Sequence, residues 1–237
     1  MGNTEKKVDW TAYSNEYDLL LKHIPEYQSL ISDFSVFVQD RVSSADKILD
    51  VGAGTANYSH AVLRVNSEQN ITILEPDAGM INVAQAKLSD FRNLTFLEST
   101  LEETPLTNTF DGVVWGHSLY TMPDPVKRLQ EVRSACKDGA WLYIVDIGRR
   151  MDVGEWRRYL LSHLFKTIGI WETLKLTWQS RQVAEQNRQV MNYQDSGRYW
   201  MHSPDEFREA LTKTGWAIEC QKVVYRGFSD LAICRAI

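Results

Sequence analysis

A glycine loop flanked by two carboxylates is the first feature of the sequence that could do chemistry. Asp50 ends a short apolar run and precedes Gly52, Ala53 and Gly54, and Glu75 ends the next apolar run. Glycines between a strand and a helix let the chain turn sharply and let a ligand approach backbone amides. A carboxylate beside the loop repels a pyrophosphate and attracts a cation, and one ending the second strand can accept both hydroxyls of a ribose. The pattern favours a cationic, ribose-bearing ligand.

Both carboxylates also have plainer interpretations. Asp50 could hold neighbouring loop amides, and Glu75 could be a solvated charge at a strand end. An NAD(P)-dependent oxidoreductase would use a similar glycine loop, but Asp50 and the presence of Asn57 in place of a third glycine count against it. A non-catalytic binding module is a further alternative, although such a protein has no need of an intact site.

Alternating strand and helix patterns position this loop. Short apolar runs predict strands at 47–51, 71–75, 94–98, 110–115 and 140–146, and helical patterns lie between them at 56–65, 78–88 and 125–136. This regular alternation of strands and helices predicts a parallel sheet with helices on both faces.

The N-terminal and C-terminal parts of the chain do not follow this alternation of strands and helices. Residues 11–41 predict helices interrupted at Pro25, and residues 151–200 predict a long, tryptophan-rich helical segment. Ser203, Pro204 and Glu206 mark a helix start. Two final strands, 216–225 and 228–236, would add an antiparallel hairpin. We expect a single domain over 1–237, made of a helical cover (1–45), a cofactor-binding core (46–150), a helical substrate lid (151–202) and a closing helix and strands (203–237).

These motifs resemble, in order, those of class I S-adenosylmethionine-dependent methyltransferases. Residues 50–55 (DVGAGT) are similar to the first motif, 74–80 (LEPDAGM) to the acidic second motif, and 110–119 (FDGVVWGHSL) to the fourth-strand motif. The similarity covers about residues 10–150 and the terminal strands. It implies an α/β, Rossmann-like doubly wound sheet of seven strands with an antiparallel last strand, S-adenosylmethionine as cofactor and S-adenosylhomocysteine as product. The family often has a glycine where this chain has Ala56.

The resemblance also implies cofactor contacts. Ser99, Thr100 and Leu101 match the stretch beside the adenine, and Met80 would pack on the adenine face unless it is a core residue of its helix. Tyr13 and Tyr17 resemble a segment that closes over the cofactor, although they could simply pack an amphipathic helix. The full predicted cofactor set is Tyr13, Asp50, Gly52, Ala53, Gly54, Glu75, Pro76, Met80, Ser99, Thr100, Leu101, Trp115, Gly116 and His117.

Candidates for catalysis and acceptor binding follow the fourth strand and occupy the lid. Methyl transfer is an in-line displacement, so the enzyme mainly aligns the reactants, and a base is needed only for a protonated acceptor. His117 and Tyr120 are the catalytic candidates. Aromatic residues could line a pocket for an apolar or cationic acceptor, or could be the core of the lid or a dimer contact. The predicted substrate residues are Tyr17, Trp171, Trp178, Tyr199, Trp200 and His202.

Composition narrows the partners. The chain has 237 residues and a net charge of −5, which disfavours nucleic acid as the main partner. No run of about 18 apolar residues predicts a membrane span, although the amphipathic stretch 168–178 leaves a lipid-like substrate or transient membrane contact open. Polar residues 1–8 do not resemble a secretion signal, and three scattered cysteines suit a reducing cytoplasm. We expect a metal-free cytoplasmic enzyme, monomer or homodimer, that methylates a small specialised metabolite or quinone-like molecule.

Overall fold

The computed structural model describes residues 8–237 and contains one seven-stranded sheet. The spatial order of its strands is β3-β2-β1-β4-β5-β7-β6. Neighbouring strands are parallel except at β7, which runs antiparallel to both β5 and β6. The strands are β1 (Lys47–Val51), β2 (Asn70–Leu74), β3 (Leu94–Leu97), β4 (Phe110–Gly116), β5 (Cys136–Ile147), β6 (Trp216–Val224) and β7 (Ser229–Ala236). The predicted fold class is confirmed.

Helices connect the strands and cover one end of the sheet. They are α1 (Trp10–Leu21), α2 (Pro25–Arg41), α3 (Asn57–Val65), α4 (Ala78–Lys87), α5 (Pro125–Ala135), α6 (Val153–Thr167), α7 (Gly169–Gln179), α8 (Arg181–Asp195) and α9 (Pro204–Lys213). Short 3-10 turns occupy Leu119–Thr121 and Tyr225–Gly227. Residues 1–7 lie outside the described residues. They belong to the predicted helical cover and to the polar N-terminal stretch that does not resemble a secretion signal.

Two helix starts show how local sequence sets the element boundaries. Pro25 occupies the first turn of α2, where its missing N–H costs nothing, so it separates α2 from α1 as predicted. At α9 the Glu206 N–H donates to Ser203 Oγ (3.2 Å), and the Ser203 N–H donates to Glu206 Oε2 (2.7 Å). This reciprocal pair satisfies amides that the helix leaves unpaired, and it confirms the predicted start.

The core has two layers, one on each face of the sheet. On one face, α5 and α9 bury Leu129, Phe207 and Leu211 against the strands. On the other face, α2, α3 and α4 bury an apolar set that includes Phe34 and Val62. Burial of both faces explains why β1, β4 and β5 have continuous apolar runs rather than alternating patterns.

The remaining helices lie across the carboxyl edge of the sheet. Helix α1 packs on α4 and α8, and α6 packs on α7. Leu21 and Ile24, near the end of α1, form an apolar cluster with Trp156 and Leu160 of α6. The segment predicted as a lid is therefore helical and closes over that edge. None of the helices in residues 8–237 has the length and apolar character required to cross a bilayer.

Candidate active site

A cavity of about 610 Å³ lies where the central strands end. Its floor includes the last residues of β1, β2, β4 and β5, namely Val51, Leu74, Gly116 and Ile147. Its other walls come from α1 and from α6, α7 and α8. Open α/β sheets bind ligands at this edge, because the loops that follow the parallel strands meet there.

Glu75 follows β2 and is held by the glycine loop. The Gly54 N–H donates to Glu75 Oε2 (2.9 Å), and the Asp77 N–H donates to Oε1 (3.0 Å). Each carboxylate oxygen therefore keeps lone pairs for a further donor on the cavity side. Burial raises the pKa of Glu75 to about 7, because the charged form is poorly solvated at this position.

The glycine loop turns through three residues with left-handed backbone. Gly52, Gly54 and Ala56 have φ of 59°, 55° and 58°. A Cβ at Gly52 would lie 2.3 Å from Ser118 Oγ, so the loop after β4 packs directly on this glycine. A Cβ at Gly54 would have only Met80 Sδ as a neighbour, at 4.0 Å, so there is open space beside this glycine. Ala56 adopts at some energetic cost a conformation that glycine adopts freely.

Asp50 does not line the cavity. Its carboxylate is 1% exposed, and it accepts hydrogen bonds from Ser59 Oγ (2.6 Å) and the Ser59 N–H (3.2 Å). Burial raises its pKa to about 6, although both bonds from Ser59 oppose that shift. The expected direct attraction between Asp50 and a cationic ligand is therefore corrected, because this carboxylate braces the glycine loop against α3.

His117 lies at the carboxyl end of β4, on the cavity wall. Its Nε2 is 3.2 Å from Ser229 Oγ, and its ring contacts the edge of Tyr225, with the centroids 5.2 Å apart. Tyr225 in turn stacks on Trp156 of α6 at 5.2 Å. Burial lowers the pKa of His117 to about 4, so its ring is neutral at neutral pH. Both His117 (φ 53°) and Tyr225 (φ 52°) adopt left-handed backbone, which costs energy and is concentrated at functional sites.

Helix α1 is anchored on both sides of the cavity. Toward the glycine loop, the Asp18 carboxylate accepts from Thr55 Oγ1 (2.7 Å) and Asn57 Nδ2 (3.0 Å). It also pairs with Lys87 Nζ at 2.5 Å. Toward the lid, the Tyr13 hydroxyl donates to Asn187 Oδ1 (3.1 Å). One helix thus joins the glycine loop to α8.

Most of the predicted cofactor residues share the cavity wall, and the glycine loop faces the loops after β2, β3 and β4. Of the predicted residues, the wall contains Tyr13, Tyr17, Gly52, Ala53, Gly54, Glu75, Pro76, Met80, Ser99, Thr100, Leu101, Gly116, His117 and Tyr120. Trp115 is an exception: it is fully buried in the core beneath the sheet, because alternate residues of a strand point to opposite faces. Its expected position beside the cofactor is corrected.

The structure separates most of the predicted substrate residues from the cavity. Only Tyr17 lines it. Trp171 and Trp178 are 80% and 66% exposed on the outer side of α7. Tyr199 packs edge-on against Tyr120, with the centroids 5.4 Å apart, behind the cavity wall. Trp200 packs on His202 and the core, so the aromatic pocket expected from Trp171, Trp178, Tyr199 and Trp200 is not formed.

His202 belongs to a buried ionic network instead of the cavity. Its side chain has no exposed surface, and it lies between Asp146 Oδ2 (3.6 Å) and Asp230 Oδ2 (3.4 Å). Burial alone would lower the pKa of His202, but the two carboxylates raise it to about 9. Asp146 also accepts a bond from the Tyr120 N–H (3.3 Å), and Arg149 pairs with Asp230. The predicted substrate contact of His202 is corrected, because the network ties the ends of β5 and β7 together behind the cavity.

Several cavity residues escaped prediction. Tyr225 occupies a short turn, where neither periodicity nor motif indicates a site. Asp18, which is not part of the cavity wall but anchors α1 to the glycine loop, also escaped prediction, because its partners are distant in sequence. The apolar wall that the lid contributes was also not predicted, because periodicity does not show which face of a helix points toward the cavity. This wall consists of Leu160, Leu161 and Leu164 of α6 and Leu176 of α7.

Comparison of the chain with known proteins identifies its family. A family model described as a methyltransferase domain matches residues 42–212. The chain belongs to this methyltransferase family. Together with the seven-stranded sheet, the match identifies a class I S-adenosylmethionine-dependent methyltransferase and confirms the predicted family and cofactor class.

Individual relatives are more distant. Demethylmenaquinone methyltransferase of Listeria welshimeri is 30% identical over 110 residues, which cover 45% of this chain and 47% of the relative. The chain thus spans about half the length of the curated relatives it matches. A methyltransferase solved in complex with the Trm112 activator of Haloferax volcanii superimposes with a TM-score of 0.66 at 17% identity, covering 98% of this chain and 99% of that one. A SAM-dependent methyltransferase of Aquifex aeolicus gives a TM-score of 0.63 at 18% identity, covering 98% and 100%. These two structures support the fold.

The residues of this methyltransferase fit S-adenosylmethionine. Glu75 has free lone pairs suited to ribose hydroxyls, and Met80 and Leu101 offer apolar surface suited to an adenine. The open side of Gly54 leaves room between these groups. Within residues 8–237, no group of three or more His, Cys, Asp or Glu side chains is arranged to hold a metal ion.

Proposed function

We propose that this protein transfers a methyl group from S-adenosylmethionine to a small, largely apolar acceptor, without a metal ion. The observation that carries the proposal is the division of the cavity. One part is bounded by Glu75 and the glycine loop, and the other mainly by leucine and aromatic side chains of α1 and the lid, with Arg157 and Arg188 also on that wall. An apolar wall favours an acceptor with apolar surface, since burial of that surface supplies binding free energy of about 25 cal/mol per Å².

The chain's own residues would divide the work as follows. When bound, S-adenosylmethionine supplies an electrophilic methyl group. Glu75 holds the ribose hydroxyls, Met80 and Leu101 pack against the base, and Gly52 and Gly54 allow close approach. The lid excludes water and aligns the acceptor, which is the main requirement of an in-line displacement.

His117 and Tyr120 are proposed to contact the acceptor or the methionine part. With a pKa of about 4, His117 is neutral at neutral pH and accepts a hydrogen bond readily, but it is a weak base. It would therefore orient an acceptor whose proton is already acidic, such as a phenol or hydroquinone, better than it would deprotonate an alcohol. The relation to demethylmenaquinone methyltransferases agrees with an acceptor of the quinone class.

The test combines binding with transfer. We expect S-adenosylhomocysteine to bind in calorimetry, and we expect methyl-labelled S-adenosylmethionine to label lipophilic hydroquinones and phenols more than water-soluble catechols of similar acidity. The proposed cofactor role fails if neither S-adenosylmethionine nor S-adenosylhomocysteine binds. The proposed acceptor class fails if binding is tight but only the hydrophilic acceptors are labelled.

A further inference from the structure

Helix α7 carries an apolar stripe on its outer face. Ile170, Trp171, Leu174 and Trp178 are 58%, 80%, 53% and 66% exposed. At 3.6 residues per turn these four positions fall within one arc of about 100°. Thr173 and Leu176 lie outside this arc and are buried. An exposed stripe of this kind, with two tryptophans, marks a surface that contacts something other than water.

Basic side chains border the stripe. Lys166 is exposed at the end of α6, and Lys175 flanks the stripe on α7, 3.6 Å from Glu172. Arg181 lies with its guanidinium 4.6 Å from the centre of the Trp178 ring. Residues 151–200 contain seven Lys and Arg against five Asp and Glu, whereas the whole chain has a net charge of −5. Three basic residues on or next to α7 thus accompany the apolar stripe, against one acidic residue of that helix, Glu172, in a chain that is acidic overall.

This combination fits the surface of an anionic membrane. Indole rings favour the interface between headgroups and acyl chains, and an amphipathic helix can lie in that plane with its apolar face buried. Lysine and arginine beside the apolar face add attraction to anionic headgroups. A protein partner would also bury the stripe, but it offers no comparable reason for the basic border.

The stripe and the cavity lie on opposite sides of the same helical layer. Leu176 of α7 lines the cavity, as do Leu160 and Leu164 of the adjacent α6. We propose that the outer face of α7, with Lys166 and Arg181 at its border, docks on an anionic membrane, and that the apolar acceptor enters the cavity from that membrane. The second part rests on the proposed function; the docking does not.

Vesicle flotation tests the docking with the 237-residue chain. We expect the protein to float with vesicles of equimolar phosphatidylglycerol and phosphatidylcholine, and much less with phosphatidylcholine alone. Added salt should weaken binding, because it screens the basic border. The double variant W171A/W178A should bind the anionic vesicles at least tenfold more weakly. The double variant V36A/V223A is the matched control, since it removes exposed apolar surface elsewhere, and it should bind like the wild type.

Three results would overturn the proposal: no flotation of the wild type, equal flotation of W171A/W178A, or a wild-type dimer in ultracentrifugation that W171A/W178A dissociates. The last result would assign the stripe to a second copy of the chain. Calorimetry with S-adenosylhomocysteine separates this proposal from the proposed function. W171A/W178A should bind S-adenosylhomocysteine like the wild type. If the wild type itself does not bind S-adenosylhomocysteine, that result counts against the proposed function and leaves the docking proposal intact.

Discussion

The carboxylate of Glu75 carries one backbone hydrogen bond on each oxygen, and it faces the cavity in a site that disfavours its charged form. Ribose hydroxyls are donors and bind the ionised carboxylate better than the protonated one. On the proposed function, two effects act on the same group: burial favours its protonated form, and the ribose hydroxyls would favour its ionised form.

We predict that the exchange of Glu75 for Gln weakens S-adenosylhomocysteine binding by about 1–3 kcal/mol, through weaker or lost hydrogen bonds. Because burial raises the pKa of Glu75 to about 7, wild-type affinity should rise between about pH 6 and pH 8, and the variant should lose that dependence. Calorimetry at several pH values measures both effects. An unchanged pH profile in E75Q would show that another group titrates.

Residue types were enough to place the glycine loop and Glu75 at the cavity, because their signals are local. Gly52, Gly54 and Glu75 are placed by the strand ends that precede or adjoin them, and all three line the cavity. For Asp50 the sequence left two interpretations open, because a carboxylate beside a ligand loop can face either the ligand or the loop itself. Only the position of Ser59, in the first turn of α3, decides between them.

At the scale of elements, the ends of β5 and β7 are joined through a histidine. His202 lies between Asp146 and Asp230 with no exposed surface. With a pKa of about 9 it is protonated at neutral pH, so its charge offsets those of the two carboxylates. Arg149 adds a further positive charge beside Asp230.

We predict that the exchange of His202 for Ala lowers the free energy of unfolding by about 3–5 kcal/mol, since it leaves two buried carboxylates without the charge between them. Urea unfolding monitored by circular dichroism measures the change. The exchange of His163, a partly exposed histidine of α6, for Ala is the control and should change stability by less than about 0.5 kcal/mol.

The network should also make stability depend on pH. The folded pKa of His202 lies above the unfolded value of about 6.5, so its contribution is complete below about pH 6.5 and is lost as pH rises toward 9. Unfolding of the wild type and H202Q across that range should show a decline that is smaller in the variant. Parallel declines in both proteins would assign the effect to other groups.

Elements were easier to predict than their orientation. The start of α9 and the break before α2 follow from single residues at helix ends, and both are confirmed. The lid helices were predicted as helices, but their inner faces were not. Tryptophan suits a pocket, a core or an exposed interface equally well, so Trp171 and Trp178 could not be assigned from their residue type.

At the scale of the whole molecule, the sheet edge forms one boundary of the cavity and the lid forms the other. We predict that the exchange of Leu161 for Trp, which fills space on the lid side, reduces turnover of bulky apolar acceptors at least tenfold and leaves S-adenosylhomocysteine affinity within twofold. The exchange of Ser162 for Trp, at the exposed neighbouring position of α6, is the matched control. Equal loss of cofactor affinity in L161W would show that the lid also shapes the cofactor half.

The lid helices α6, α7 and α8 form one uninterrupted stretch of chain between β5 and α9, and none of them supplies a strand to the sheet. Substitutions on their inner faces can therefore accumulate while the hydrogen bonds around Glu75 and the glycine loop persist. On the proposed function, the lid wall of the acceptor site can thus change through substitutions in one contiguous segment, while the residues proposed to hold the methyl donor stay the same.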